Sequence, residues 1–271
     1  MKFPSQRALD CAATAARAAG RLMRSEQAAP KKINSQSQHD IKLELDVRCQ
    51  KLIEKILLRA FPASAVLGEE GVAGRAESQL RWVVDPIDGT VNFTYGIPHA
   101  CVSIALQQRL PSREFSTVIG VVYDPFCDEL WSAARGGPAR LNGKVIHTSR
   151  RSKLAESIVA IGFSKSEASL NDNLPVFNAL VRRVRKIRMM GAAALALVYV
   201  ASGRFDAYIE SGISLWDIAA GGLILECAGG EFWHRPLPGG AQYDMIANNG
   251  LLRAKLERIA RAARKRGQQE T

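Results

Sequence analysis

Apolar residues recur with helical spacing near the N-terminus of this chain and in short runs through its middle. Residues 5–26 carry an apolar stripe with helical spacing, and residues 45–61 carry a second one that stops at Pro62. The polar stretch at residues 34–39, between the two stripes, predicts a loop. Val66-Leu67-Gly68 then predicts a short strand that ends at Glu69-Glu70.

The rest of the chain is predicted to be rich in strands and then to alternate strands with helices. Asn142-Gly143 predicts a tight hairpin. No internal repeat or long linker divides the 271 residues, so we expect one domain, with an α+β half over residues 1–150 and an α/β half over residues 151–271. The predicted strands lie at residues 82–85, 102–106, 118–123, 130–133, 157–161, 187–189, 205–210 and 243–247, and the predicted helices at residues 174–184, 191–202 and 216–227.

Composition narrows the class of protein. No apolar run reaches the length of a membrane helix, and the first residues lack the apolar core of a signal peptide, so we expect a cytoplasmic protein without a membrane partner. The five cysteines are scattered and the four histidines isolated, which argues against a disulfide framework or a zinc site. A bound metal would therefore need oxygen ligands.

The chain is basic, with a formal net charge of +11. Much of the excess lies at residues 182–188 and 253–266, which we interpret as solvated helix faces that also favour anionic ligands. Nucleic-acid binding is the minority alternative, because no known binding motif accompanies the charge.

The chemically informative feature is a pair of aspartates on one short turn. Asp85 follows an apolar strand, and Pro86 keeps Asp85 extended and turns the chain. Asp88 comes three residues later, and the carbonyl of Ile87 between the aspartates offers a further oxygen. Oxygen-only coordination of this kind matches magnesium.

Taken alone, this turn could be an ordinary surface turn, but other residues favour a functional role for it. Gly89 allows close backbone approach, and the amides of Gly89 and Thr90 can bind phosphate oxygens. Glu69 and Glu70 follow a predicted strand, and Asp217 begins an apolar helix. Taken separately, Glu69 and Glu70 could be a solvated pair, and Asp217 could be a helix cap. Together, acids at so many element ends in a basic chain indicate a cation site.

Three ordered motifs resemble the inositol monophosphatase family. They are Gly68-Glu69-Glu70, the segment WVVDPIDGTVNF at residues 82–93, and the segment WDIAAG at residues 216–221. The segment DIKLELD at residues 40–46 stands where the family has an early aspartate motif. The resemblance covers nearly the whole chain. It implies a layered α-β-α-β-α sandwich and lithium-sensitive, magnesium-dependent hydrolysis of a small phosphate monoester.

The resemblance also implies roles for the acids. Glu69, Asp85 and the Ile87 carbonyl would bind one magnesium ion, and Asp85, Asp88 and Asp217 a second. Glu69 would hold a weaker third ion through water. Such cations are physically required, because a dianionic phosphate would otherwise be repelled by the carboxylates. Metal ions can clamp the attacking and leaving oxygens, so no nucleophilic side chain is needed.

Further roles follow from the same resemblance. Thr90 would hydrogen-bond Asp46 and orient the attacking water, with Glu70 beside the water network. The amides of Gly89 and Thr90 would bind the phosphate, next to Asp88 and Asp217.

Substrate choice rests on the second half of the chain. Glu210 resembles the family acid that accepts hydrogen bonds from inositol hydroxyls, which favours myo-inositol monophosphate; a solvent-facing strand end is the alternative. The segment Gly191-Ala192-Ala193 resembles the helix start that faces the substrate. Ala192 replaces a frequent threonine, and Ser35 stands where many members have a lysine, and both departures weaken the inference to inositol.

Alternatives remain open at this point. Sister phosphatases act on histidinol phosphate, 3′-phosphoadenosine 5′-phosphate or fructose 1,6-bisphosphate, and the basic residues 182–188 could serve a second phosphate. A non-enzymatic alternative is an RNA- or transcription-complex-binding protein on the same fold. The resemblance also implies a homodimer.

Overall fold

The computed structural model describes residues 5–29, 31–36, 41–163, 167–240 and 242–267. Helices α1 (Ser5–Ser25) and α2 (Glu44–Ala60) pack against each other, which confirms both predicted N-terminal helices. Strands β1 (Ile33–Gln36) and β2 (Ile41–Leu43) pair antiparallel between them. The loop predicted at residues 34–39 is therefore wrong for residues 34–36, which belong to β1. The strand was missed because these residues are all polar and show no alternation with apolar residues. Residues 37–39 lie outside the described part of the chain.

Eight strands form the larger sheet. They are β3 (Ala65–Gly68), β4 (Gly71–Gly74), β5 (Leu80–Asp88), β6 (Cys101–Arg109), β7 (Phe115–Asp124), β8 (Glu129–Ala134), β9 (Arg140–Leu141) and β10 (Lys144–Val145). Their spatial order is β10-β9-β8-β7-β6-β5-β3-β4, and only the β3–β5 pair is parallel. Asn142 and Gly143 form the predicted hairpin, with φ of 47° and 81°, as a tight two-residue turn requires.

Strand β5 continues through the Asp-Pro segment instead of ending at Asp85. Its pairing with β6 shifts register between Asp85 and Asp88. Pro86 has no amide hydrogen, so it cannot donate to the ladder, and the strand accommodates it by an irregularity of the bulge type. Both aspartates consequently stay on a buried part of the sheet. The short helix α3 (Thr90–Thr94) follows at once.

Five strands form the second sheet, in the order β12-β11-β13-β15-β14. The strands β11, β12 and β13 are mutually parallel, and β15 runs antiparallel to both of its neighbours. The elements of this half are β11 (Ile158–Ile161), α4 (Glu167–Val181), β12 (Lys186–Arg188), α5 (Ala193–Ala201), β13 (Ala207–Ser214), α6 (Leu215–Cys227), β14 (Glu231–Pro236), β15 (Gln242–Asn248) and α7 (Arg253–Gly267).

The elements stack as an α-β-α-β-α sandwich, as predicted. Helices α1 and α2 cover one face of the large sheet, α5 and α6 lie between the two sheets, and α4 and α7 cover the far side of the second sheet. Helix α6 approaches the large sheet closely: a Cβ on Gly120 of β7 would lie 2.6 Å from the carbonyl oxygen of Ala220. The small residues of α6 therefore allow the helix to pack closely against the large sheet.

Two parts of the second half differ from the predictions. The basic residues 182–188 do not line a helix: α4 ends at Val181, and these residues occupy a turn and the edge strand β12. The pattern also did not predict β14, because its aromatic residues Phe232 and Trp233 are adjacent, so apolar and polar residues do not alternate, and because it ends at Pro236. Across the described residues, no helix combines the length and apolarity needed to cross a membrane.

Candidate metal and phosphate site

Three aspartates from distant parts of the sequence meet at one point. Asp85 and Asp88 come from the end of β5, and Asp217 comes from the first turn of α6. One carboxylate oxygen from each lies within 4.8 Å of the others. Asp85 and Asp88 are buried, whereas Asp217 is partly exposed toward a cavity. The fold therefore brings together the three aspartates that the sequence analysis singled out.

Two contacts fix Asp217 at the start of α6. The amide of Ser214 donates a hydrogen bond of 3.0 Å to Asp217 Oδ2, so Asp217 takes part in capping the helix. Ser103 Oγ of β6 donates to the carbonyl oxygen of Trp216 at 3.0 Å and ties the helix start to the large sheet. Capping and membership of the acid cluster are thus compatible roles for Asp217. Sequence patterns gave no signal for Ser103, since its partner is distant in the chain.

Asp88 is held by the start of helix α5. The amides of Ala193 and Ala194 donate to its two carboxylate oxygens at 3.0 and 2.8 Å, and the buried Cys101 thiol donates at 3.4 Å. Burial raises the pKa of Asp88 to about 6, and these hydrogen bonds oppose the rise. The Ala193 amide, predicted to face the substrate, donates to Asp88 in this structure.

The electrostatics of the cluster are unfavourable for bare carboxylates. Burial raises the pKa of Asp85 well above its ordinary value, and the charges of Glu69, Asp88 and Asp217 raise it further. Burial likewise raises the pKa of Asp217, with added contributions from Asp88 and Glu69. A crowded set of oxygen donors with surplus negative charge fits hard divalent cations, because the cations neutralise the repulsion. The donor set therefore suits the metal implied by the sequence.

The Gly89-Thr90 turn closes tightly onto its surroundings. Gly89 has φ of 91°, and a Cβ there would lie 2.9 Å from the carbonyl oxygen of His99. Thr90 Oγ1 donates to the Ile87 carbonyl at 2.8 Å. Asn92 Nδ2 donates to the carbonyl oxygens of His99 and Met190, at 2.9 and 2.8 Å. Asn92 therefore joins this turn to the segment that begins at Gly191.

The remaining predicted acids come from other elements: Glu69 and Glu70 follow β3, which pairs with β5, and Asp46 lies in α2. The Glu69 amide donates to the Val84 carbonyl at 3.1 Å, and the Glu70 amide donates to Gln50 Oε1 at 2.9 Å. Asp46 is buried in the first turn of α2, where it accepts a hydrogen bond of 2.7 Å from the Leu43 amide. The predicted contact between Asp46 and Thr90, and the role of Glu70 beside water, stay predictions.

A cavity of about 640 Å³ opens next to the aspartates. Glu210 of β13 lies on its wall, and the hydroxyl of the buried Tyr208 donates a hydrogen bond to the Glu210 carboxylate. Burial raises the pKa of Glu210 to about 7, and the Tyr208 hydrogen bond works in the opposite direction. Tyr208 was not predicted, although its i, i+2 spacing from Glu210 on a strand was a usable signal. The other predicted residues on this wall are Asp88, Gly191, Ala192, Ala193 and Asp217.

Comparison with known proteins decides the family. Residues 5–268 match the inositol monophosphatase family. The chain belongs to the inositol monophosphatase family. A Nus factor SuhB from Xylella fastidiosa is 42% identical over 195 residues, covering 72% of this chain and 69% of the relative. Inositol monophosphatase 2 from Solanum lycopersicum is 37% identical over 247 residues, covering 88% and 90%.

Solved structures of the inositol monophosphatase family share the fold. The extragenic suppressor protein suhB of Bartonella henselae superposes with a TM-score of 0.84 at 33% identity, covering 93% of this chain and 97% of that one. Membership of the family supports phosphatase activity, and the buried aspartate cluster is consistent with metal binding.

Proposed function

We propose that this protein is a magnesium-dependent phosphomonoesterase that hydrolyses myo-inositol monophosphate. The observation that carries the proposal is the convergence of Asp85, Asp88 and Asp217 within 4.8 Å beside the cavity. Glu210, on the wall of the same cavity, offers an acceptor for hydroxyl groups. The cavity of about 640 Å³ has room for a small phosphorylated polyol together with cations.

The metal ligands in this proposal are the five groups implied by the sequence. Glu69, Asp85 and the Ile87 carbonyl would hold one magnesium ion, Asp85, Asp88 and Asp217 would hold a second, and Glu69 would contribute to a weaker third site. Bound magnesium supplies neutralising charge for the phosphate and lowers the pKa of a coordinated water. Magnesium is favoured over softer ions because every donor is an oxygen.

The protein's own groups bind and orient the reactants. The Gly89 and Thr90 amides bind phosphate oxygens, and Thr90 with Asp46 directs a water toward phosphorus. The water oxygen forms a bond to phosphorus as the bond between phosphorus and the ester oxygen breaks, and the proton that the water loses balances the one that the released alcohol gains. Glu210 accepts a hydrogen bond from a substrate hydroxyl and so sets the orientation of the leaving group.

A substrate panel tests the proposed function. Phosphate release should be measured for myo-inositol 1-phosphate, histidinol phosphate, 3′-phosphoadenosine 5′-phosphate and fructose 1,6-bisphosphate, each with magnesium and with excess chelator. We expect the inositol ester to be the best substrate, with activity that disappears on chelation and falls in lithium. If no ester releases phosphate at saturating magnesium, the proposal is wrong. Preference for another ester would retain the phosphatase and replace its substrate.

A homodimer is part of the proposal. Tyr95, Ile97 and Met189 are exposed by 73%, 50% and 60%, and Asn92 joins their two segments through its hydrogen bond to the Met190 carbonyl. Exposed apolar side chains in neighbouring segments are typical of an interface. Light scattering should give twice the mass of the 29.5 kDa chain, and Tyr95→Asp should lower it.

A second candidate is binding to RNA or a transcription complex. It is favoured by the Xylella fastidiosa relative, named Nus factor SuhB, and by the exposed side chains of Arg182, Arg183 and Arg185. In that case Asp88→Asn would abolish hydrolysis and leave RNA affinity unchanged. RNA affinity that falls steeply with salt concentration would support this candidate. Absence of salt-sensitive RNA binding would remove it.

A further inference from the structure

We infer that Tyr208 is a positioning residue that fixes the Glu210 carboxylate, the group that the proposed function assigns as the acceptor for a substrate hydroxyl. This inference rests on the proposed phosphatase function. It goes beyond that function because it assigns a role to Tyr208.

Tyr208 and Glu210 point to the same side of β13. Residues two apart on a strand share a face, so the two side chains lie next to each other along the cavity wall. Both line the cavity that contains Asp88 and Asp217. The Tyr208 hydroxyl donates to Glu210 Oε2. Tyr208 itself is 3% exposed, so surrounding atoms hold its ring in place. The hydrogen bond therefore anchors Glu210 to a rigid part of the second sheet.

Gly162 lies close to the oxygen of Glu210 that Tyr208 also contacts. A Cβ on Gly162 would lie 1.8 Å from Glu210 Oε2 and 2.2 Å from its Cδ. The Gly162 amide donates to the Ile209 carbonyl at 3.1 Å, so this backbone cannot readily move away. The Tyr208 hydroxyl and the Gly162 backbone thus both approach Glu210 Oε2, and few other positions are open to this oxygen.

The hydrogen-bonding capacity left on Glu210 indicates what it binds. A carboxylate can accept several hydrogen bonds, and Tyr208 uses one of them. Burial raises the pKa of Tyr208 well above its ordinary value, so the hydroxyl stays protonated and keeps donating. None of the described residues that line the cavity is a lysine or arginine. Beside Glu210, a second phosphate would meet no cationic side chain among these lining residues, whereas a hydroxyl would find a fixed acceptor.

Two esters separate this inference from the function on which it rests. Steady-state kinetics with saturating magnesium should compare wild type and Tyr208→Phe on myo-inositol 1-phosphate and on phenyl phosphate, which has no hydroxyl. We expect Tyr208→Phe to raise KM for the inositol ester about tenfold, as loss of about 1.4 kcal/mol would do, with kcat nearly unchanged. Both constants for phenyl phosphate should stay within about twofold of wild type, since that ester does not use Glu210.

A second variant tests the position of the Glu210 carboxylate without changing Tyr208. Gly162→Ala pushes the Glu210 carboxylate from its position and should produce the same selective rise in KM, with folding verified by circular dichroism. Equal losses on both esters, or no change on either, would overturn the role of Tyr208 while leaving the phosphatase intact. Hydrolysis of phenyl phosphate but not of the inositol ester by wild type would overturn the use of Glu210 by a substrate hydroxyl, and with it the role of Tyr208. Hydrolysis of neither ester by wild type would overturn the proposed function and this inference together.

Discussion

Asp88 and Ala194 join the two halves of the fold through one hydrogen bond, in which the Ala194 amide donates to Asp88 Oδ2 at 2.8 Å. Asp88 ends a strand of the large sheet, and Ala194 lies in the first turn of α5 in the second half. The unpaired amides at a helix start favour a negative charge, so α5 opposes the rise in the pKa of Asp88 that burial causes. The same contact therefore influences both the position and the charge of a proposed metal ligand.

Replacement of Asp88 by asparagine should abolish activity without unfolding the protein. The variant loses a charged oxygen donor, so we expect magnesium-dependent phosphate release to fall by about a thousandfold or more, the effect of losing a few kcal/mol of transition-state stabilisation. Circular dichroism should show a folded protein, because the side chain keeps its volume. Asp217→Asn should behave alike, and exposed Glu77→Gln is the matched control. Near-normal turnover in Asp88→Asn would show that the metal assignment is wrong.

The sequence predicted the layers and the acid cluster well, for a physical reason. The helical stripes on α1 and α2 and the apolar runs of β6 and β7 are local patterns, and the acids were recognised from motifs at the ends of such elements. Long-range polar contacts left no such pattern. Ser103 bonds the Trp216 carbonyl and Asn92 bonds the Met190 carbonyl, 113 and 98 residues away, and only the packed fold brings these groups together. Strand β14 was missed because its two aromatic residues are adjacent and do not alternate with polar residues.

The metal-free protein should lose stability as the pH rises. The pKa of Asp88 is about 6 in the folded protein against an ordinary value of 3.8, so the folded state binds a proton more tightly than the unfolded state does. The stabilisation of the folded state by this tighter proton binding is complete below about pH 4 and disappears as the pH rises through 6. The loss for Asp88 is on the order of 3 kcal/mol, and Asp85 and Asp217 act in the same direction.

Calorimetry in chelator and in magnesium measures this dependence. Between pH 5 and 8, Tm in chelator should fall, whereas magnesium should raise Tm more at pH 8 than at pH 5, because it binds the ionised carboxylates. Asp88→Asn in chelator should show a weaker pH dependence. A metal-free Tm that rises over this interval would contradict the electrostatic account of the cluster.

Removal of the Asn92 amide should weaken the connection between the Gly89-Thr90 turn and the cavity wall. Asn92→Ala loses two hydrogen bonds to carbonyl oxygens, which should cost about 1–3 kcal/mol in the free energy of unfolding. Asn92→Asp keeps the shape but cannot donate, so it should be at least as unstable. Both should lower kcat/KM, because Gly191 and the Gly89 turn are no longer joined. Urea unfolding with wild-type stability in Asn92→Asp would contradict the role of these bonds.

Substitutions at Gly89 and Gly96 form a matched pair that separates the effect of backbone strain from that of close packing at the Gly89-Thr90 turn. Both have positive φ, 91° and 74°, but a Cβ on Gly96 would meet nothing within 4 Å, whereas on Gly89 it would lie 2.9 Å from the His99 carbonyl oxygen. Gly96→Ala should therefore cost only the left-handed backbone penalty, roughly 1 kcal/mol, and keep full activity. Gly89→Ala should cost about 2–4 kcal/mol and reduce phosphate release strongly, because the added methyl group displaces the amides of the turn. Urea unfolding and phosphate-release assays on both variants measure the difference, and equal behaviour of the pair would show that close packing at Gly89 has no part in the site.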